Sequence, residues 1–322
     1  MNNPCGFLVC GEALIDLVPI DTGPEPMMRA VCGGSPYNVA IGLGRLGADT
    51  RFLGRLSLDG NGRRLASRLA QNGVSLDLIT YAAAPSTLAY VFPQEPGRPD
   101  VSYAFYVEGT SGAVFQEQDF PIALPASVGL VHFGSFAALL GQSGALVRAF
   151  AKSSGRIVSY DPNIRPTITP DPVTTRPIVA ACIGAADIVK LSDADAEWLY
   201  PGRPLDDVMS DILGMGPSMV AITRGSEGAI AGTRTVRVAL PGTPTQVVDT
   251  VGAGDTFMAA FLWDLGRRGL IDRDALAGAS QTQLGGATSL ACGAAALVCG
   301  RHGAEPPFRA ELESAGGNEG QG

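Results

Sequence analysis

The stretch DTVGAGDT, residues 249–256, combines a turn suited to binding anions with a carboxylate. Gly252, Ala253 and Gly254 precede a predicted helix, and backbone N–H groups at a helix N-terminus can stabilise charge on transferring phosphoryl oxygens. Asp255 should stay ionised at the positive end of that helix, so it can accept a proton from a hydroxyl that attacks phosphorus. The stretch therefore predicts phosphoryl transfer. A plain helix-capping role for Asp255 stays open.

Other motifs follow predicted strands, which places them at one edge of a sheet. DPNIRP (161–166) follows RIVSY, TRGSEG (223–228) follows MVAI, and DTVGAGDT follows TQVV. Short apolar runs alternate with helix-like stretches, a pattern typical of an α/β fold whose mostly parallel sheet is flanked by helices. Because ligands of open α/β sheets bind at the C-terminal ends of strands, these motifs should share one site.

The pattern assigns strands and helices to particular segments. Strands are predicted at 129–135, 155–162, 186–192 and 218–225. Helices are predicted at 142–154, 193–200 and 204–215, with a further helix that begins at Gly254 or Asp255 and two more between Asp274 and about Gly300.

Two regions, 13–31 and 86–107, break the alternation because strand-like pieces flank Pro/Gly turns without a helix between them. The second resembles a hairpin. We predict that both regions pair into a small β-sheet lid over the cleft, a common means of excluding water. The α/β domain would then comprise residues 1–12, 32–85 and 108–311, and residues 312–322 would form a disordered tail.

Composition limits the class of protein. The 322 residues are 46% hydrophobic and 17% charged, enough to bury a large core, and the net charge of −8 argues against nucleic acid or an acidic membrane as partner. Six scattered cysteines form no C-x-x-C pair, so neither a zinc site nor a disulfide framework is indicated. The run SLACGAAALVCG is too short to span a bilayer. We expect a soluble, cytoplasmic protein that binds small molecules.

Two common nucleotide-binding motifs are missing from the sequence. No G-x-x-x-x-G-K-[ST] occurs, which excludes a P-loop NTPase at the level of motifs. The first strand is followed by GEALID rather than G-x-G-x-x-G, which argues against a dinucleotide site and a Rossmann-type oxidoreductase.

Together with GGSPYNVAIGLGRLG (33–47), the stretch DTVGAGDT gives the sequence a strong resemblance to the ribokinase-like (pfkB) carbohydrate kinase family. The resemblance runs through almost the whole chain and includes Gly11, Glu12 and Asp16 near the start, the DPNIR element and TRGSEGA. It implies a Rossmann-like α/β domain with a β lid, ATP as phosphoryl donor, Mg²⁺ as its counter-ion and a sugar as acceptor.

The resemblance also implies roles for individual residues. Asp255 would be the catalytic base, the amides of Gly252, Ala253 and Gly254 the anion hole, and Arg165 the basic residue near the transferred phosphoryl. Sugar hydroxyls would be held at the positions that match the family's sugar site, namely Asp16, Gly33, Gly34 and Asn38. Thr223, Gly225 and Gly228 correspond to the nucleotide loop. Tyr106 would either stack on substrate or belong to the lid core.

One departure from the family pattern concerns the metal. The family often has Asn-x-x-Glu near the nucleotide phosphates, whereas KLSDADAEWL offers Ser192 and Asp195 at that spacing. The shorter Asp195 would reach Mg²⁺ through water. Whether Glu197 takes this role instead, or is an ordinary residue of the helix surface, stays open. Family members also bind a monovalent cation such as K⁺, for which Asp249, Val251 and Gly303 would be the ligands. Pairing of lids between subunits implies a homodimer.

Within the family, GEALIDLVP and AFYVEGTSG are most similar to bacterial fructokinases, which implies fructose as acceptor. Kinases of 2-keto-3-deoxygluconate are the runner-up, but here Tyr106 is followed by Val107 and Glu108, and an acid repels a carboxylate substrate. Ribose or a nucleoside as substrate also stays open. A catalytically silent sugar-binding regulator is the alternative from a different class.

Overall fold

The computed structural model describes residues 5–21, 25–92 and 102–317. The strands are β1 (Gly6–Cys10), β2 (Leu14–Pro19), β3 (Met28–Gly33), β4 (Thr50–Ser57), β5 (Val74–Ser75), β6 (Ile79–Ala82), β7 (Leu88–Phe92), β8 (Ser102–Tyr106), β9 (Val128–Gly134), β10 (Ile157–Asp161), β11 (Ile188–Ser192), β12 (Met219–Thr223), β13 (Ala229–Gly232) and β14 (Arg237–Leu240). The helices are α1 (Ser35–Arg45), α2 (Gly60–Gln71), α3 (Gly141–Ser153), α4 (Pro172–Ala185), α5 (Asp193–Leu199), α6 (Leu205–Gly214), α7 (Ala253–Arg267), α8 (Arg273–Ala277), α9 (Gln281–Cys299) and α10 (Arg309–Gly317).

A large sheet runs through the middle of the molecule in the strand order β14-β13-β12-β11-β10-β9-β1-β4-β5, and β6 also pairs with β4. The pairs from β12 to β5 are parallel, whereas β13 and β14 form antiparallel pairs at one end. This mixed sheet confirms the predicted α/β class, and the strands predicted at 129–135, 155–162, 186–192 and 218–225 are β9 to β12.

Both faces of the large sheet are covered, because successive side chains of a strand point to opposite sides. In β1, Phe7 and Val9 join a core with α1, α2, α7 and α9, while Leu8 and Cys10 join a second core with α3 to α6. Strands buried on both faces are apolar throughout, which explains the short continuous apolar runs in the sequence.

A separate four-stranded sheet has the order β3-β2-β7-β8. Its outer pairs, β2 with β3 and β7 with β8, are antiparallel, and its central pair of β2 and β7 is parallel. The strands fall within or next to the two segments predicted to form a lid, and the turn predicted between β7 and β8 lies outside the described residues. The domain limits drawn from the sequence stay predictions.

The C-terminal region differs in part from the prediction. α8 and α9 are the two helices expected before Gly300, and α7 begins at Ala253, one residue earlier than expected. The predicted disordered tail from residue 312 is wrong for residues 312–317, which belong to α10. Leu312 is buried in the core, and Glu311 pairs with Arg301, so packing holds this segment. Residues 318–322 lie outside the described part of the chain.

α9 is long and apolar enough to cross a membrane by length and composition alone. Its side chains at Leu284, Ala287 and Ala291 are buried in the core that also contains α7. Helices α7 and α9 pack against each other, and α9 also contacts β13 and β14. α9 is thus a core helix of the α/β domain.

Candidate active site

The strands β9 to β12 end at one edge of the large sheet. Asp161 at the end of β10 pairs with Gly134 at the end of β9, and Ser192 at the end of β11 pairs with Thr223 at the end of β12. The segments that follow these strands carry the DPNIRP and TRGSEG motifs. These two motifs therefore lie on one rim, as parallel strands require. The strand predicted at TQVV (245–248) before DTVGAGDT is wrong, because this segment is irregular and the Val248 amide donates to the Cys299 carbonyl at the end of α9.

Asp255 lies in the first turn of α7 and contacts the first turn of α1. Its Oδ1 accepts a hydrogen bond from Ser35 Oγ at 2.7 Å, and its Oδ2 accepts one from Asn38 Nδ2 at 2.9 Å. Gly252 enters α7 with φ of 79°, a conformation that favours glycine, and leaves the amides of Ala253 and Gly254 in the first turn. The predicted base, anion-binding turn and Asn38 are thus neighbours.

The ionisation of Asp255 depends on its surroundings more than the helix terminus suggests. Burial raises the pKa of this carboxyl, while the hydrogen bonds from Ser35 and Asn38 and the charge of Lys190 lower it. The negative charge of Asp161 raises the pKa of Asp255 and so opposes the effect of Lys190. The expectation that the positive helix end alone keeps Asp255 ionised was therefore too simple, since burial opposes it.

Asp16 faces the same region from β2. A methyl group on Gly33 would lie 2.0 Å from Asp16 Oδ2, so the carboxylate fits against β3 only because residue 33 is glycine. Burial raises the pKa of Asp16 to about 7, Arg165 lowers it, and Asp255 raises it. Asp16 and Gly33 are therefore adjacent, and Arg165 acts on the same carboxyl. Gly34 follows directly, as the N-cap of α1 with φ of 109°.

Tyr106 does not lie with Asp16 and Gly33 at the site. Asp16 pairs with Ala89, and Ala89 pairs with Phe105, so Phe105 shares the Asp16 face of the small sheet. Tyr106 alternates to the other face and is 62% exposed. Tyr103, two residues before Phe105, returns to the Asp16 face. Burial raises the pKa of its phenol, and Asp16 and Asp255 add to the rise.

Tyr103 is thus an aromatic side chain at the site that our sequence reasoning missed. The signal was the alternation of side chains along YAFY (103–106), which puts Tyr103 and Tyr106 on opposite faces whatever the register.

Asp195 is satisfied by protein donors. Its Oδ1 accepts from the Ile164 amide at 2.8 Å, and its Oδ2 accepts from the amide and hydroxyl of Ser192 at 2.9 and 2.7 Å. It is buried and ties the DPNIRP segment to the start of α5. Glu197 is exposed and accepts from the Gly202 amide. Among the residues that the structure describes, no cluster of three His, Cys, Asp or Glu side chains could hold a metal.

The residues assigned to the nucleotide lie along the neighbouring stretch of the rim. Thr223 ends β12 beside Ser192, and Gly225 and Gly228 form the turn into β13. Nearby, a cavity of about 380 Å³ is lined by residues 243–245, by Gly286, Gly293 and Ala296 of α9 and by Leu312 of α10. No motif in the sequence marks this cavity.

The residues assigned to a monovalent cation also come together. Asp249 Oδ1 accepts from the Val251 amide at 3.0 Å, and Asp249 Oδ2 accepts from the Gly303 amide at 2.8 Å. Asp249 therefore ties the segment before α7 to the loop after α9.

Three buried charged groups near the site carried no assigned role in the sequence analysis. Glu12 is 1% exposed, and burial raises its pKa to about 7. Its Oε2 accepts from the Ala137 amide at 3.2 Å, while its Oε1 is buried without a hydrogen-bond partner. Lys190 and Asp161 form an ion pair of 2.9 Å. Lys190 is one of only two lysines in the chain, and that rarity was the available signal.

A glycine turn at the N-terminus of α7, the buried carboxyl of Asp255 and the acid Asp16 of the second sheet thus lie together at this rim. Residues 7–311 match the pfkB family of carbohydrate kinases, and the chain belongs to that family. The predicted enzyme class, an ATP-dependent carbohydrate kinase, is thereby confirmed.

Relatives of known name support the same class. A fructokinase from Rhizobium leguminosarum bv. trifolii is 35% identical over 281 residues, which are 86% of this chain and 85% of that protein. Fructokinase with bound ATP from Xylella fastidiosa matches the fold with a TM-score of 0.88 and 25% identity, over 98% of this chain and 99% of that one. A fructokinase double mutant from Vibrio cholerae O395, in fructose, ADP and potassium ion bound form, matches with a TM-score of 0.84 and 25% identity, over the same shares.

Proposed function

We propose that this carbohydrate kinase transfers the γ-phosphoryl group of ATP to fructose and forms fructose 6-phosphate. The observation that carries the proposal is the contact of Asp255 with Ser35 and Asn38, which joins the anion-binding turn to the sugar-binding motif. A base for a sugar hydroxyl and donors for a phosphate thus occupy adjacent positions. The fructokinase relatives favour fructose among the neutral sugars.

In the proposed reaction Asp255 accepts the proton of the attacking hydroxyl. The amides of Gly252 and Gly254 bind the phosphoryl oxygens on which negative charge accumulates, and the Ala253 amide joins them by exchanging its hydrogen bond to the Thr250 carbonyl, which is 3.2 Å long in the structure. Arg165 adds a guanidinium with several donors on the side of Asp16. Since phosphoryl transfer demands orientation and neutralisation of charge, a carboxylate is a sufficient base.

The charge of the sugar site favours a neutral substrate. Asp16 holds sugar hydroxyls beside Gly33 and Gly34, and Asn38 contributes an amide while it holds Asp255. With pKa values of about 7, the buried carboxyls of Asp16 and Glu12 already carry part of a negative charge at neutral pH. An acidic sugar would add charge to this group, so 2-keto-3-deoxygluconate is disfavoured. Tyr103 covers the sugar from the small sheet.

For the nucleotide we propose that the base occupies the cavity beside α9 and the phosphates extend past Thr223, Gly225 and Gly228 towards Gly252. The cavity falls in the range of small-molecule sites. Mg²⁺, when bound, would neutralise phosphate charge, and its shell would consist mainly of phosphate oxygens and water because Asp195 is engaged by protein donors. Ser192 and Asp195 then position the loop that carries Arg165. Asp249, with the carbonyls of Val251 and Gly303, would hold K⁺ near the turn.

An ADP-release assay over a panel of acceptors tests the proposal. Fructose, ribose, glucose, adenosine, inosine and 2-keto-3-deoxygluconate are compared as acceptors with ATP and Mg²⁺, with and without K⁺. We expect the highest kcat/KM for fructose. A higher kcat/KM for 2-keto-3-deoxygluconate or a nucleoside would make that compound the substrate in place of fructose. Binding of sugar without any turnover would indicate a catalytically silent regulator.

A further inference from the structure

Lys190 lies directly behind the anion-binding turn. It projects from β11 on the side of the large sheet that faces α7, and its side chain is 5% exposed. A methyl group placed on Gly254 would lie 2.9 Å from Lys190 Nζ. Glycine at this position therefore leaves the space that the ammonium group occupies, and the charge lies within contact distance of the helix N-terminus.

Asp161, the first residue of DPNIRP, fixes this position. Its Oδ2 accepts a hydrogen bond from Lys190 Nζ at 2.9 Å, and its own side chain is 1% exposed. Although burial by itself lowers the pKa of a lysine, Asp161, Asp195 and Asp255 together raise that of Lys190, so it is protonated. An ammonium has three donors, and among the described residues only Asp161 accepts from it.

We propose that Lys190, held by Asp161 against Gly254, is a positioning residue that supplies fixed positive charge to the anion-binding turn and to Asp255. Its charge adds to the partial positive charge of the α7 N-terminus, where negative charge accumulates during transfer. It also favours the ionised form of the base. The inference rests on the proposed function through two assignments, that of Asp255 as the base and that of the turn at residues 252–254 as the site that binds the phosphoryl group.

The groups that face Asp255 show why this charge matters. They are Ser35 and Asn38 on α1, Glu12 and Asp16 around β1 and β2, Tyr103 on β8, Asp161 on β10 and Lys190 on β11. Four of these partners are neutral donors or a cation, and three are acids. Among the interactions that shift the pKa of Asp255, Lys190 supplies the positive charge.

The test compares Lys190→Met with Lys152→Met, which changes the other lysine, on the exposed surface of α3. We expect Lys190→Met to lower kcat by roughly 10²–10³ with a sugar KM within a few-fold of the parent. The acid limb of kcat/KM should move to higher pH by roughly one unit. Lys152→Met should change neither. Parental kcat in Lys190→Met, or a loss with an unmoved acid limb, would overturn the proposal.

A doubly neutral variant guards against misfolding, because removing one partner of a buried ion pair leaves an uncompensated charge. The double variant Lys190→Met with Asp161→Asn leaves no uncompensated buried charge at this pair. In this variant the pH shift is partly cancelled, since the opposing charge of Asp161 is also lost, so kcat is the decisive measurement. We expect a folded protein with kcat still reduced by at least roughly 10-fold. Recovery of parental kcat would overturn the proposal.

Gly254→Ala tests the contact itself. Its methyl group would collide with Lys190 Nζ but would lie 3.9 Å from the Cε position, near which a methionine side chain ends. We expect the substitution to cost more activity with Lys190 present than in the Lys190→Met background, so the two effects are not additive. Additive effects would show that the two residues do not interact.

If Asp255→Asn were fully active, the proposed function would fail as well, whereas an inactive Asp255→Asn with an active Lys190→Met would remove this inference alone.

Discussion

Asn38 Nδ2 donates a hydrogen bond to Asp255 Oδ2 at 2.9 Å, across 217 residues of sequence. The contact joins the first turn of α1 to the first turn of α7, and Gly42 lets these helices pack closely, since a methyl group there would lie 2.6 Å from Ala259 Cβ. One amide therefore orients the proposed base and borders the proposed sugar site. Changes at Asn38 should affect both.

Asp255→Asn should abolish most turnover and leave binding intact. The amide keeps the size of the side chain and can still bond Ser35, but it cannot accept a proton. We expect kcat to fall by roughly 10²–10⁴, with Kd values for sugar and ATP within a few-fold of the parent. Steady-state ADP release and calorimetric titration measure the two quantities. Near-normal turnover would refute the assignment of the base.

Ser35→Ala and Asn38→Leu should make Asp255 harder to ionise. Each removes a hydrogen bond that lowers the pKa of the carboxyl, while the burial that raises it remains. Because hydrogen bonds to charged groups are worth about 1.5–3 kcal/mol, the acid limb of kcat/KM should move up by roughly one pH unit. Ser67→Ala, on the exposed surface of α2, serves as the control. An unchanged pH profile in both variants would contradict the role of these bonds.

Arg165→Ala should lower kcat more than it changes the affinity for sugar. The guanidinium is proposed to neutralise phosphoryl charge, and its loss also raises the pKa of Asp16 further. Arg165→Lys should recover part of kcat, since it restores the charge without the planar set of donors. Initial rates at varied fructose and ATP separate the constants. An effect confined to the sugar KM would assign Arg165 to sugar binding instead.

Glu12→Gln should stabilise the protein at alkaline pH. In the folded state the pKa of Glu12 is raised from 4.5 to about 7, so the folded protein holds this proton more tightly than the unfolded chain. The free energy of unfolding therefore falls as the pH rises through that window. Glutamine keeps an acceptor for the Ala137 amide and removes this loss, a gain of up to about 3 kcal/mol near pH 8 and almost none near pH 4.

Urea unfolding of the parent and of Glu12→Gln at several pH values measures the difference. Asp16 has a raised pKa as well, so a smaller slope of the same sign should remain in the variant. A variant that is less stable than the parent at alkaline pH would show that the Glu12 carboxylate is stabilised by contacts that outweigh its burial.

The sequence alone determined features that depend on neighbouring residues. The alternation of apolar runs and amphipathic stretches gave β9 to β12 and the helices α3, α5 and α6, though not α4, because strand and helix periods are properties of short segments. The glycines of DTVGAGDT marked a turn into α7 for the same reason. Family motifs then located Asp255, Asn38 and Asp16, though not their distances from one another.

Only the tertiary structure decided which side chains share a space. The tail from residue 312 looked disordered in isolation, yet the burial of Leu312 orders its first part. Tyr103 faces Asp16 and Tyr106 does not, because the register of β2, β7 and β8 fixes the faces. The bonds from Ser35 and Asn38 to Asp255, and the charge of Lys190 behind Gly254, arise where α1, α7 and β11 pack. Local patterns are encoded within a few residues, whereas proximity and desolvation depend on how distant segments pack together.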